Sequence, residues 1–219
     1  MKIGFTSTIP VELIFAAGDE PVDLNNIFIT NPSPRSFIKE AESEGFPGAF
    51  CSWVKGIYSA VKREGIQRVI VVVEGDCSNN QKLAEIFHDN GLDVFCFAYP
   101  HLHSSEQLRI EMKRLKAWLD VDDKKIKEIK DALDKIRSKL ALLDCLSYTD
   151  LKVSGFENHE WLVSSSDFKS NYINYERDLD NFLKKLDARD NIHLDRVKLG
   201  YVGVPPIVDD MYSFIEAGG

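Results

Sequence analysis

Arg68–Asn80, RVIVVVEGDCSNN, is the stretch on which the reading of the fold turns. Val69 to Val73, led in by Arg68, form a continuous β-branched run, the pattern of a strand buried on both faces of a parallel sheet. The run stops at Glu74-Gly75-Asp76, Cys77 follows directly, and Ser78 or Asn79 stands where a helix would take its cap. In open α/β sheets, ligands bind beyond the carboxyl ends of the strands. A cysteine set there, beside two carboxylates and a helix N-terminus, is placed to hold a ligand. A small buried thiol in a βα loop is the equal alternative.

Upstream, Lys2–Phe5 reads as a first strand, and Thr6-Ser7-Thr8 supply turn and cap hydroxyls. Pro10, at a first helical position, opens a helix over Val11–Ala17 that Gly18 ends. Pro21–Leu24 predicts a second strand, and the chain from there to Arg35 reads as loop-rich, with Asn25, Asn26, Asn31, Pro32 and Pro34. Gly45, Pro47 and Gly48 break the chain before Phe50-Cys51-Ser52. Val54, Ile57, Tyr58 and Val61 then have helical spacing up to Gly65. Cys51 thus also starts a helix, where free N–H groups and the helix dipole favour a thiolate.

Downstream, Gln81–Asp89 predicts a helix closed by Asn90-Gly91, and Asp93–Ala98 a further strand. Cys96, between Phe95 and Phe97 in that strand, reads as packing, and His101 and His103 as turn and surface residues. Ser104 or Ser105 caps a helix to about Leu119, and Asp120-Val121-Asp122-Asp123 starts another. Its apolar residues Ile126, Ile129, Leu133, Ile136, Leu140 and Leu143 form a core-facing stripe, and Cys145 near its end reads as structural. After the break at Ser154-Gly155 come helices over Glu157–Val163 and Asp167–Asp187. His159-Glu160 does not extend to a zinc-binding HExxH, because Val163 stands at the last position. Arg196–Val202 predicts a strand and Ile207–Glu216 a final helix.

The expected fold is α/β, a flavodoxin-like or Rossmann-like parallel sheet flanked by helices. The expected organisation is an N-terminal α/β core over 1–103 and a helical segment over 104–195 that packs on it and leads to the next domain. Residues 196–219 are then expected to be the first βα unit of a second, truncated α/β domain. A net charge of −8 over 219 residues argues against general nucleic-acid binding, which needs a basic surface. No apolar run approaches the roughly 18 residues of a spanning helix, and MKIGFTSTIP lacks signal-peptide architecture, so a cytoplasmic protein without a membrane partner is expected. Cys51, Cys77, Cys96 and Cys145 are then free thiols, metal ligands or catalytic groups rather than disulfides.

KIGFTSTIPVELIFAAG, PVDLNN, FCSWVKGIYSAV, VVEGDCSNN, FAYP, VSGFENHEWLVSSSDF and GYVGVPPI occur in this order along essentially the whole chain. Together they resemble the 2-hydroxyacyl-CoA dehydratase D-component family, which includes 2-hydroxyglutaryl-CoA dehydratase subunits and the related benzoyl-CoA reductase subunits. The resemblance implies two flavodoxin-like domains with a [4Fe–4S] cluster held between them by three cysteines. Cys51 and Cys77 match the first two ligand positions. The third belongs to the second domain, and neither Cys96 nor Cys145 sits in a motif that replaces it. The chain is therefore expected to be the N-terminal portion of such a subunit, with an incomplete site and no activity alone.

The resemblance further implies reductive dehydration of a 2-hydroxyacyl-CoA through a ketyl radical anion. The electron would come from an ATP-hydrolysing iron–sulfur activator, and a second homologous subunit would complete the enzyme. By adjacency to the cysteines, Ser52 and Glu74 are candidate catalytic groups, with Asp76 and Ser78 as further polar neighbours, and each is equally readable as a cap or turn residue. Two other functions stay open. One is a low-potential reductase subunit of the benzoyl-CoA reductase or double-cubane type. The other is a non-catalytic scaffold or assembly module that keeps the fold without the cluster.

Overall fold

Four strands, β1 (Lys2–Phe5), β2 (Glu20–Asp23), β3 (Arg68–Glu74) and β4 (Asp93–Ala98), pair in parallel in the order β2-β1-β3-β4. They belong to a computed structural model that describes residues 1–102, 104–189, 197–203, 206 and 211–218. Hairpins cannot join parallel neighbours, so helices cross over between the strands. Helix α1 (Glu12–Ala16) joins β1 to β2, and α2 (Leu24–Ile29), α3 (Pro34–Ser43) and α4 (Ser52–Arg63) join β2 to β3. Helix α5 (Asn79–Asp89) joins β3 to β4. The order is that of the first four strands of a flavodoxin-like sheet. The expected α/β class holds.

Strand β3 shows why its sequence is apolar without alternation. Val69, Ile70, Val71 and Val72 are all buried, because both faces of the sheet are covered. Val69 and Val71 join a cluster with Val54, Ile57 and Val61 of α4 and Leu83 and Phe87 of α5. Strand alternation turns Ile70 and Val72 to the opposite face. Burying each such side chain is worth about 1.5–3 kcal/mol.

The chain forms two compact units, Met1–Lys130 and Asp131–Gly219. The first also holds α6 (Ser105–Leu119), which packs on β4 and α1 and is capped by Ser104, whose Oγ accepts the Gln107 N–H. Helix α7 (Asp123–Tyr148) begins in the first unit and continues in the second, with Leu133, Ile136, Leu140 and Leu143 buried and Ile126 and Ile129 half-buried. The second unit continues with α8 (Gly155–Val163), α9 (Tyr172–Leu186) and α10 (Met211–Ala217). Ser154 and Glu157 form a capping box at α8, and the Arg189 guanidinium on Glu157, at 2.8 and 2.9 Å, holds that carboxyl below the usual range.

Four expectations need correction. The loop-rich reading up to Arg35 fails, because Asp23 caps α2 and burial of Leu24 and Phe28 outweighs the weak helix propensity of Asn25 and Asn26. Cys96 is exposed rather than packed: β4 is an edge strand whose inward positions are taken by Phe95 and Phe97. The helix expected over Asp167–Asp187 begins only at Tyr172, since Phe168, Lys169 and Ser170 all have positive φ and form a left-handed turn. Val197–Gly203 is not a strand, for a strand exists only by pairing and this stretch has no ladder partner among the described residues. Residues 196, 204, 205, 207–210 and 219 of the expected final βα unit lie outside the described residues, and the helix there spans Met211–Ala217.

Gly56 in α4 lies against Phe28, and a Cβ there would stand 2.5 Å from the ring. Alanine ordinarily stabilises a helix interior by about 1 kcal/mol over glycine, whereas overpacking a core costs about 1–3 kcal/mol or more. Gly56→Ala is therefore expected to lower stability by about 1–2 kcal/mol. A reduced urea midpoint would show this; an unchanged or raised midpoint would mean that Phe28 moves aside freely.

Candidate functional site

A crossover helix runs back against its strands, so α4 starts at the carboxyl edge of the sheet and α5 starts just beyond the end of β3. Cys51 is the N-cap residue of α4, with φ −55° and ψ 122°, and its side chain makes no cap hydrogen bond. It is half-buried. Cys77 is exposed in the loop between β3 and α5. The fold thus delivers both cysteines to one edge, each at the positive end of a helix. Ser52, the first residue of α4, and Glu74, the last of β3, are exposed at the same edge.

The loop carrying Cys77 is shaped by its own turn residues and by Tyr99 at the end of β4. The β3–β4 register shifts between Val72 and Glu74, and Gly75 turns the chain with φ +87°. Tyr99 excludes any side chain at Gly75, since a Cβ there would meet its Cβ at 2.7 Å. The Tyr99 N–H donates to the Glu74 carbonyl at 3.0 Å, and its hydroxyl donates to the Thr8 carbonyl at 2.7 Å. Burial pushes that phenol above its ordinary pKa, so it stays a donor at neutral pH. Asp76 shapes the turn: Oδ1 accepts the Cys77 N–H at 2.7 Å and Oδ2 accepts from Asn80 Nδ2 at 3.0 Å. Ser78 occupies the cap position of α5 without a side-chain cap bond.

Contacts across the fold hold the start of α4. Trp53 Nε1 donates to Asn25 Oδ1 at 2.7 Å, and Asn25 Nδ2 donates to the Thr6 carbonyl at 3.0 Å and to Asp23 Oδ1 at 2.8 Å. Only this orientation of the amide satisfies one donor and two acceptors at once. Thr6 is buried: its N–H donates to the Ile70 carbonyl at 3.2 Å and its Oγ1 accepts the Val72 N–H at 3.1 Å. Asn25, Trp53, Thr6 and Tyr99 were not among the residues singled out in the sequence as site residues. Asn25 and Trp53 stand in the PVDLNN and FCSWVKG stretches, but no local spacing announces that they meet.

Among the described residues, no group of three or more His, Cys, Asp or Glu side chains is placed to hold a metal ion. Cys96 lies on the exposed edge strand, Cys145 belongs to the second unit, His101 is exposed, and His103 lies outside the described residues. Two thiols suit a soft metal such as cluster iron, yet two are not a full ligand set. No described helix is long and apolar enough to cross a membrane.

The family model of the 2-hydroxyglutaryl-CoA dehydratase D-component matches residues 6–219. The chain belongs to this family. No curated protein matches it. As a D-component it is a subunit of the 2-hydroxyacyl-CoA dehydratase type, and the match runs through both Cys51 and Cys77.

The Asn25 hub of this D-component is open to substitution. Asn25→Ala strands the Trp53 indole N–H, the Thr6 carbonyl and one bond of Asp23, and is expected to cost about 2–3 kcal/mol. Asn25→Asp keeps an acceptor for Trp53 but sets a carboxylate against Asp23 and the Thr6 carbonyl. Like charge raises the pKa of the new carboxyl. Its penalty is therefore full above that pKa and relieved as pH falls through it. Urea midpoints relative to wild type at neutral and mildly acidic pH would show a narrowing gap for Asn25→Asp and a constant one for Asn25→Ala.

Proposed function

We propose that this chain supplies two thiolate ligands, Cys51 and Cys77, to a [4Fe–4S] cluster in an enzyme that reductively dehydrates a 2-hydroxyacyl-CoA. The observation that carries the reading is their shared placement, on two separate elements at the carboxyl edge of one parallel sheet, in a chain of the D-component family. Both remain free thiols in loops whose shape is set by other residues. The remaining ligands would come from outside the described residues. When bound, the cluster would supply low-potential electron transfer to the substrate.

This chain's own residues then have separate tasks. Cys51 and Cys77 bind, and the helix N-termini behind them favour their charged forms. Ser52 offers a hydroxyl to hydrogen-bond the substrate, and the Glu74 carboxyl serves as acid or base at the departing hydroxyl. The partners in this reading are an acyl-CoA substrate, an ATP-hydrolysing iron–sulfur activator and a second homologous subunit, in a reducing cytoplasm. The competing reading is a non-catalytic module of the same fold.

In the native complex isolated without oxygen, Cys51→Ser and Cys77→Ser are each expected to remove most of the iron and the charge-transfer absorption. Undiminished iron in both variants would overturn the ligand assignment, and an iron-free wild-type complex would favour the non-catalytic module. Glu74→Gln is expected to keep the iron and lower turnover by about a hundredfold or more. Turnover within a few-fold of wild type would remove Glu74 from the chemistry.

A further inference from the structure

Lys55 is 1% exposed, although it carries a charge. It is the fourth residue of α4, where a cation opposes the helix dipole, and burial adds a desolvation penalty. Its Nζ donates to Glu42 Oε1 at 2.6 Å and to the Gly48 carbonyl at 2.9 Å. Its backbone N–H donates to the Cys51 carbonyl at 3.1 Å. Only the Lys55 end of this pair is buried, Glu42 being 38% exposed, and a buried charge is often matched or exceeded in stability by an apolar side chain of similar volume. What an apolar residue cannot do is grip a carbonyl three residues before Cys51.

We infer that Lys55 is a positioning residue for Cys51. The chain from Gly45 to Phe50 contains two glycines and a proline and has no helix or strand of its own. It needs an anchor to enter α4 at one angle. Aromatic packing fixes its ends: Phe46 lies 4.7 Å from Tyr58 and 5.8 Å from Phe50, centroid to centroid. Lys55 fixes its middle through Gly48, while Trp53 and Asn25 fix the first turn of α4 from the other side. Cys51 is held between the two anchors, its thiol relieved of any capping duty. The significance of this device rests on the reading of Cys51 as a ligand, but its test does not.

That test is site-resolved alkylation of the reduced, metal-free chain by iodoacetamide, with Cys77 as the internal reference. Loss of the charge-assisted bond in Lys55→Met is expected to speed alkylation of Cys51 about tenfold, with Cys77 within about twofold of wild type. Lys55→Gln, which keeps a donor for the Gly48 carbonyl, is expected to return Cys51 most of the way. An unchanged Cys51, equal acceleration at both cysteines, or a Gln variant no closer to wild type than Met would overturn the proposal. Should Lys55→Met fail to fold, Glu42→Gln at the outer end of the pair decides: about threefold faster Cys51 alkylation supports it and no change overturns it. A shifted Cys51 rate, together with intact iron in Cys51→Ser complexes, would support positioning while overturning the ligand reading.

Discussion

Parallel pairing of β3 between β1 and β4 is the constraint on which the rest of the structure depends. It forces a crossover between successive strands, so the loops that leave the strands emerge at the same edge. Thr6 extends the β1–β3 connection beyond the end of β1, giving its N–H to Ile70 and accepting from Val72 through Oγ1. Both bonds lie at the edge where Cys51 and Cys77 stand. The ladder that stabilises the sheet therefore also sets the floor of the candidate site.

A floor of this kind creates a polar problem. Where a parallel ladder stops, carbonyl and N–H groups lose their strand partners and must find others. Asn25 answers for β1 and β2 together, since its amide reaches Thr6 and Asp23, and its remaining acceptor takes the Trp53 indole. Tyr99 answers on the other side, bridging the end of β3 to the loop after β1. Structural satisfaction and site assembly are thus the same set of hydrogen bonds, which is why residues without chemistry of their own matter to the cysteines.

The parts legible in the sequence are those fixed by short-range pattern. The β-branched run of β3, the glycines that follow α1, α4 and α5 and the helical spacing of α4 and α7 were readable because burial imposes period and turn imposes glycine. Cys51 and Cys77 were readable because each stands at a helix start next to such a break. The rest depends on partners distant in sequence. Asn25 looked like a loop residue and is instead inside α2, its side chain committed to Thr6 and Trp53. Cys96 looked internal because it sits between two phenylalanines, but an edge strand has only part of each face to bury it. VKLGYV has strand composition, yet composition supplies only one half of a ladder.

The two cysteine loops are built by opposite strategies. The Cys77 loop is held by neighbours within four residues, Asp76 and Asn80, with Gly75 setting the turn and Tyr99 closing on it from the end of β4. The Cys51 loop depends on Lys55 reaching back to Gly48 and Glu42 and on Trp53 reaching Asn25, 28 residues earlier. Closing longer loops costs more conformational entropy before any contact returns it. Cys51 therefore depends on the docking of α2, α3 and α4 on the sheet, whereas Cys77 depends on its own βα unit and on Tyr99 at the end of β4. A site divided in this way is complete only in the folded core: one thiol waits on a local turn, and the other reports that the whole α4 layer is in place.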